Sequence, residues 1–337
     1  MKKSVLILLA ILISIFMTCC GNSTDTTSSG DNKDDNKDEL IKVGFSQTGA
    51  ESVWRVANTE SLKLSLNEEN GYDLIYDDGQ QKQENQIRAI RSFIQQNVDY
   101  IVLAPLVETG WDSVLEEARR AGIPVIVIDR MVNVEDSDLY TAYIGSNFLQ
   151  EGETAVTWLK STLKKYGREN DTINIVDIQG TMGSTAQIGR SAALEAAVKL
   201  NPNWKLVAQE CGEFTKPKSY EVMANILAKT HDIDVVYCEN DSEAFGAIKA
   251  LQEAGLTCGV DGDVIVISFD ATSEGLSDCL SGLISLDVEC NPLQGPYVEK
   301  IIRQLSQGEP AEKIQYLDET YFDCFTITQN TVNDRAY

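Results

Sequence analysis

Short apolar runs without alternation recur along this chain, separated by segments of helical period. Ile41–Phe45, Tyr72–Tyr76, Tyr100–Ala104 and Pro124–Ile128 read as strands, and Pro124–Ile128 as one buried on both faces, because no polar residue alternates through it. Between them, Val53–Asn70 carries Leu62 and Leu66 on one helical face and stops at Gly71. Gln83–Gln96 sets Ile87, Ile90 and Ile94 in register, and Trp111–Ala121 forms a third helix. The pattern restarts after Gly145 with a helix over Gly152–Tyr166 and strands over Ile173–Ile178, Lys205–Cys211, Val235–Glu239 and Val264–Ser268. Helices marked by Leu194 and Val198, by Val222, Ile226 and Leu227, and by Ile248 and Leu251 fall between those strands. Ile284–Val288, a helix from Pro292 to about Gln307, and the chain from Tyr316 onward complete both halves. Such alternation predicts an α/β protein of two doubly wound, parallel-sheet lobes with right-handed crossovers.

The two halves echo each other at one kind of junction. Ala121-Gly122 precedes the strand that ends in Asp129-Arg130, and Ala254-Gly255 precedes the strand that ends near Asp270. Carboxyl ends of parallel strands are where open α/β sheets hold their ligands, so two such ends point to a ligand between two lobes.

The first residues carry an address rather than a fold. Lys2-Lys3 is a positive start and Val5–Phe16 an apolar run too short to span a membrane. Met17-Thr18-Cys19-Cys20 follows, and a Cys closing such a run resembles a bacterial lipobox, with Cys20 favoured for lipidation and Cys19 the alternative. An ordinary secretory signal is the other reading, and both place the mature protein outside the cytoplasm. Asn22 to about Glu39 is almost free of apolar residues and reads as a flexible tether.

The chain has 337 residues, which favours two domains over one core. The expected division is a signal segment at 1–20, a tether at 21–39, a first lobe from 40–145 plus 291–320, and a second lobe from 146–290 plus 321–337. A net charge of −24 argues against nucleic acid and against any membrane contact beyond a lipid anchor. Cys211, Cys238, Cys258, Cys279, Cys290 and Cys324 make no C-x-x-C pair and have no cluster of His beside them, so no metal or other cofactor is expected; their pairing is left open.

The strand ends collect hydrogen-bonding groups. Strand one leads to Ser46-Gln47 and then Glu51-Ser52-Val53-Trp54-Arg55, the opening half's last strand to Asp129-Arg130, and Ile173–Ile178 to Gln179-Gly180-Thr181 with Arg190 in the next helix. Val235–Glu239 leads to Asn240-Asp241, and Val264–Ser268 to Asp270. A sugar hydroxyl both donates and accepts, so carboxylates, guanidinium forks and an amide satisfy it from both sides, while a Trp face covers the C–H side of the ring. Taken singly, each residue has a plainer role: Trp54 in the core, Arg55 and Arg190 as solvated helix charges, and Asp129, Asp270 and Asn240-Asp241 as helix caps. Their coincidence at five strand ends favours a shared site. Asp77-Asp78 reads as a turn.

With those residues in place, the chain resembles the type I periplasmic solute-binding proteins of bacterial sugar ABC importers, and among them the galactofuranose-binding members. Val43-Gly44-Phe45-Ser46-Gln47 with Glu51-Ser52-x-Trp54-Arg55 is similar to that subgroup's opening motif, and Asp77-Asp78-Gly79-Gln80-Gln81-Lys82-Gln83-Glu84-Asn85-Gln86-Ile87 to its second block. Ala104-Pro105, Thr109-Gly110-Trp111, Asp129-Arg130, Gln179-Gly180-Thr181-x-Gly183 and Glu239-Asn240-Asp241 continue the likeness. The resemblance implies two lobes joined by a three-crossing hinge that close on a sugar. It also implies sugar contacts from Glu51, Ser52, Val53, Trp54, Arg55, Asp129, Arg130, Arg190, Asn240 and Asp270. The subgroup usually has Gly where this chain has Val53, Ser268 and Ala271, departures that bear on the sugar more than on the fold.

The leading expectation is therefore a lipid-anchored, monomeric receptor that takes up a monosaccharide, galactofuranose or a related aldose, and delivers it to an ABC permease with its ATPase. A receptor that presents the sugar to a sensor kinase or chemoreceptor would carry the same site. A glycoside hydrolase is the enzymatic alternative, since carboxylate pairs abound. A Ser-His-Asp mechanism is disfavoured by the single histidine, His231, in a polar turn. Gly180-Thr181-Met182-Gly183-Ser184-Thr185 lacks the Lys of a phosphate loop.

Overall fold

The computed structural model describes Leu40–Tyr337. The signal segment, lipidated Cys20 and tether expected before it lie outside the described residues. The elements run β1 Ile41–Gln47, α1 Val53–Ser65, β2 Tyr72–Asp78, α2 Gln83–Gln95, β3 Tyr100–Leu103, α3 Asp112–Arg120, β4 Val125–Asp129 and β5 Ala142–Gly145. Then come α4 Phe148–Lys165, β6 Ile173–Gln179, α5 Thr185–Leu200, β7 Trp204–Cys211, α6 Lys216–Leu227, β8 Val235–Cys238, α7 Asp241–Glu253, β9 Ile265–Asp270 and α8 Ser273–Ser281. β10 Leu286–Glu289, α9 Gly295–Ser306, β11 Ile314–Tyr316, β12 Tyr321–Asp323 and α10 Gln329–Asn333 close the chain.

Two six-stranded sheets result, ordered β11-β5-β4-β3-β1-β2 and β12-β10-β9-β8-β6-β7. The first is parallel throughout. The second is parallel except where β12 runs against β10. The doubly wound α/β architecture expected from the sequence is what forms.

The unalternated strands are explained by covered faces. Along β4, Val125 and Val127 pack with α2 and α3, whereas Ile126 and Ile128 pack with α1 and α9. Burying each such aliphatic side chain contributes roughly 1.5–3 kcal/mol, so both faces drive the strand into the middle of the sheet. β6, β8 and β9 are covered in the same way in the second sheet.

Some elements differ from the sequence reading. The helix expected to reach Asn70 ends at Ser65, because Asn67 caps a separate one-turn 3₁₀ helix over Glu68–Asn70. β5 and α8 carry no apolar period long enough to mark them; β5 follows β4 through a loop instead of a crossover helix. The chain passes between the sheets three times, from β5 into α4, from β10 into α9, and from β11 into β12.

Candidate functional site

Both sheets end their central strands at one cleft, and the backbone there is unusual. Asp129 closes β4 with φ of 62°, and Asp270 closes β9 with φ of 110°, followed by Ala271 at 53°. Side-chain-bearing residues avoid this region at a cost of order 1–3 kcal/mol, and such residues gather at ligand clamps. Neither Asp caps a helix; Thr272 caps α8 instead. Asn240 does cap α7, accepting from Glu243 N at 2.8 Å, and its Nδ2 donates to Phe214 O at 3.3 Å.

The cleft is lined by charged, amide and hydroxyl groups together with aromatic faces. Glu51, Ser52, Trp54, Arg55, Asp129 and Arg130 line it from the first lobe, and Arg190, Asn240 and Asp270 from the second. Val53 does not. Ser52 caps α1, so Val53 is the first helical residue, and with Trp54 and Arg55 turned inward its side chain points out, 55% exposed. The side chain of Val53, expected among the sugar contacts, is thus not among those that line the cleft.

Phe148, Ala186, Phe214 and Cys290 complete the lining and were not singled out from the sequence. Phe214 sits in a loop where Glu213 and Phe214 both have φ of 59°, and Gly180 makes room for its ring: a Cβ there would lie 1.9 Å from Phe214 Cζ. A Gly at the end of β6 is the one sequence signal that an aromatic ring approaches. Phe148 opens α4 at the first crossing and has no such mark.

Each guanidinium lies against an aromatic face. Arg55 is 4.6 Å from the Trp54 ring centre, Arg130 is 5.2 Å from Phe214, and Arg190 is 5.3 Å from Phe148 and 4.7 Å from Phe269. Arg55 also donates to Asp129 Oδ2 at 2.6 Å and to Glu51 Oε1 at 3.1 Å, and Gln81 Nε2 donates to Glu51 Oε2 at 2.6 Å. Arg190 Nε donates to Glu151 Oε2 at 2.7 Å and Nη1 to the carbonyl of Glu239. Arg130 Nη1 donates to Leu106 O at 2.9 Å. Among the described residues, Arg130 Nε and Arg190 Nη2 are buried without a hydrogen-bond partner, which leaves two donors free to bond a ligand.

The charges nearly balance: Glu51, Asp129, Glu151 and Asp270 face Arg55, Arg130 and Arg190. Burial opposes charge on Arg55, but Asp129 and Glu51 outweigh it and hold the guanidinium charged. Burial, with help from Arg55, draws Arg130 down to about 10. Burial pushes the Asp270 carboxyl well above the usual carboxylate range, with Arg190 opposing. Balanced charge with spare donors and acceptors fits a neutral polyhydroxyl ligand better than an ion. His231 is exposed and does not line the cleft.

The lobes are drawn together at the cleft mouth. Glu108 N donates to Gly183 O at 2.9 Å, and Met131 N to Thr185 Oγ1 at 3.0 Å, both from the first lobe to the second. On the hinge side, Trp54 Nε1 donates to Cys290 O at 2.6 Å. All six described cysteines are free.

Comparison with known proteins agrees with this geometry. The periplasmic binding protein domain family matches residues 43–310. The galactofuranose-binding protein YtfQ of Escherichia coli (strain K12) is 37% identical over 286 residues, 84% of this chain and 87% of that protein. A Mycobacterium smegmatis protein solved in complex with β-D-fucofuranose is 40% identical with a TM-score of 0.80, covering 85% of this chain and 92% of that one. The binding component of the arabinose ABC transporter of Shewanella sp. ANA-3, solved with α- and β-L-arabinofuranose, is 39% identical with a TM-score of 0.77, covering 84% and 92%.

Proposed function

Since this chain belongs to the periplasmic binding protein family, we propose that it holds one aldose in the furanose form, galactofuranose or a close relative, and hands it to an ABC permease with its ATPase. It is a sugar-binding protein of the ABC-transporter class, in a family that binds rather than transforms its ligands. In the proposed complex Asp129, Arg130, Arg190, Asn240 and Asp270 bond the hydroxyls, and Glu51 and Ser52 add polar edges. Trp54, Phe148 and Phe214 cover the C–H surface, and Arg55 holds Asp129 in place. The observation that carries this reading is the convergence of Asp129-Arg130 and of Arg190, Asn240 and Asp270 on one cleft from two sheets. Three relatives that bind galactofuranose, fucofuranose and arabinofuranose support the ring form.

Lipidation of Cys20, a tether over 21–39, and action as a monomer belong to the same proposal. An anchored receptor stays near its permease while its lobes open and close. Calorimetric titration with a panel of aldoses tests the binding step: a furanose-forming aldose binding without turnover supports it, and heat from none of them rejects it. Metabolic labelling with a fatty acid, lost in a Cys20→Ala chain, tests the anchor; label retained there moves it to Cys19, and no label on the wild type removes it.

A further inference from the structure

The three crossings between the lobes meet at a cluster of two carboxyls and a thiol beside the sugar cleft. Glu151 stands on α4 just past the first crossing, Cys290 follows β10 on the second, and Glu319 lies between β11 and β12 on the third. One donor atom from each lies within 4.8 Å of the other two. We propose that Glu151, Cys290 and Glu319 bind a divalent transition cation of the zinc class across the hinge.

The donor set fits that ion. A thiolate with two carboxylates suits a borderline-soft metal, and a tetrahedral shell places such donors roughly 3.5 Å apart. The side chains therefore need shifts of about 1 Å from their present spacing, within reach of Glu side chains on a hinge. Among the described residues Glu151 Oε1 is buried and without a hydrogen-bond partner, although Oε2 takes the bond from Arg190; Glu151 as a whole is 4% exposed. A buried, unpartnered carboxylate oxygen facing a thiol and a second carboxylate is a donor open to a cation.

Charge and orientation point the same way. Once deprotonated on metal binding, two carboxylates and a thiolate carry three negative charges, and Arg190, 2.7 Å from Glu151, balances one. A dication matches the remainder. Glu319 is already fixed: its Oε1 accepts from Ser146 Oγ at 2.6 Å and Asn291 N at 2.7 Å, and Ser146 Oγ also lies 3.3 Å from Cys290 Sγ. Bonds of this kind orient metal ligands. Glu151 and Glu319 also line a surface depression with Asn147, Glu289, Asp318 and Tyr321, which gives the cation an entry and leaves room for a water as fourth ligand. On binding, the Cys290 thiol proton, and any proton carried by either carboxyl, passes to solvent. The bound ion then ties all three crossings together. Because Cys290 lines the sugar cleft and Glu151 holds Arg190, metal and sugar change each other's affinity by one common factor.

The test is titration of the reduced, chelator-treated chain with Co²⁺ followed by Zn²⁺. The expected result is one tight equivalent, a thiolate-to-Co²⁺ charge-transfer band, and displacement of that band by Zn²⁺. Cys290→Ser should abolish the band, and Glu319→Gln, whose amide carbonyl can keep the Ser146 and Asn291 bonds, should weaken Zn²⁺ at least tenfold. Absence of the band, its survival in Cys290→Ser, or Zn²⁺ affinity unchanged in Glu319→Gln overturns the proposal. If Cys290→Ser does not fold, the Glu319→Gln titration decides alone.

Discussion

Arg190 Nη2 and Asp270 Oδ1 face each other at 4.0 Å, too far apart for a hydrogen bond, and the nitrogen has no other partner. A sugar hydroxyl placed between them accepts from the guanidinium and donates to the carboxylate. Arg190→Ala and Asp270→Ala should each lower sugar affinity at least 100-fold by calorimetry, about 2.7 kcal/mol. The two differ in stability. The Asp270 carboxyl is buried, and burial opposes its charge, so Asp270→Asn should leave the melting temperature equal or higher. Arg190→Ala strands Glu151 and should lower it. Full affinity in both alanine variants would place the sugar elsewhere.

Gly180 never meets the cleft, yet it sets the position of Phe214. A methyl group there would lie between 1.9 and 2.4 Å from three ring carbons of Phe214. Gly180→Ala should push the ring into the cleft and weaken sugar binding at least tenfold. Combining it with Phe214→Ala should then cost no more than Phe214→Ala alone. Independent, additive losses would show that Phe214 is not the route.

Val53 gives the opposite expectation. The residue is the first of α1, points away from the cleft and is largely exposed. Val53→Gly should change sugar affinity by less than twofold and reduce stability by no more than about 1 kcal/mol. A tenfold change in affinity would bring this side chain back into the site.

Asp177 in β6 is fully buried, and burial pushes its carboxyl up to about 7, opposed by the bond from Gln209 and aided by Glu195. The folded state thus holds this proton more tightly than the unfolded chain, whose Asp titrates near 3.9. Its stabilising contribution is complete below about pH 4 and is lost as pH rises towards 7. The melting temperature should therefore be higher at pH 5 than at pH 8. Asp177→Asn should flatten that slope, which separates this group from the general repulsion of an acidic chain. An unchanged slope in the variant would assign the effect to other carboxyls.

Strand content was legible because the central strands are apolar on both faces, as Val125–Ile128 shows. Polar groups at strand ends were legible for the same reason, since Asp129 and Asp270 interrupt an apolar run where it leaves the sheet. β5 was not, because four residues after a loop carry no period. Phe214 was hidden because a left-handed turn places it, and such a turn has no apolar signature. The outward direction of the Val53 side chain was not legible because motif spacing alone does not say how a helix is phased; the Ser52 cap fixes that phase. Glu319 and Cys290 come together only through the three crossings, a relationship that no local pattern encodes.

The central claim is that the carboxyl ends of central strands from two sheets clamp one furanose sugar. Calorimetric titration of the purified protein with galactofuranose, arabinofuranose-forming arabinose and a pyranose-locked methyl glycoside tests it most directly. The account predicts one site per chain for a furanose, no binding of the locked pyranose, and loss of the signal in Asp270→Ala. Binding of the locked pyranose as tightly as the furanose, or no binding of any of the three, would contradict it.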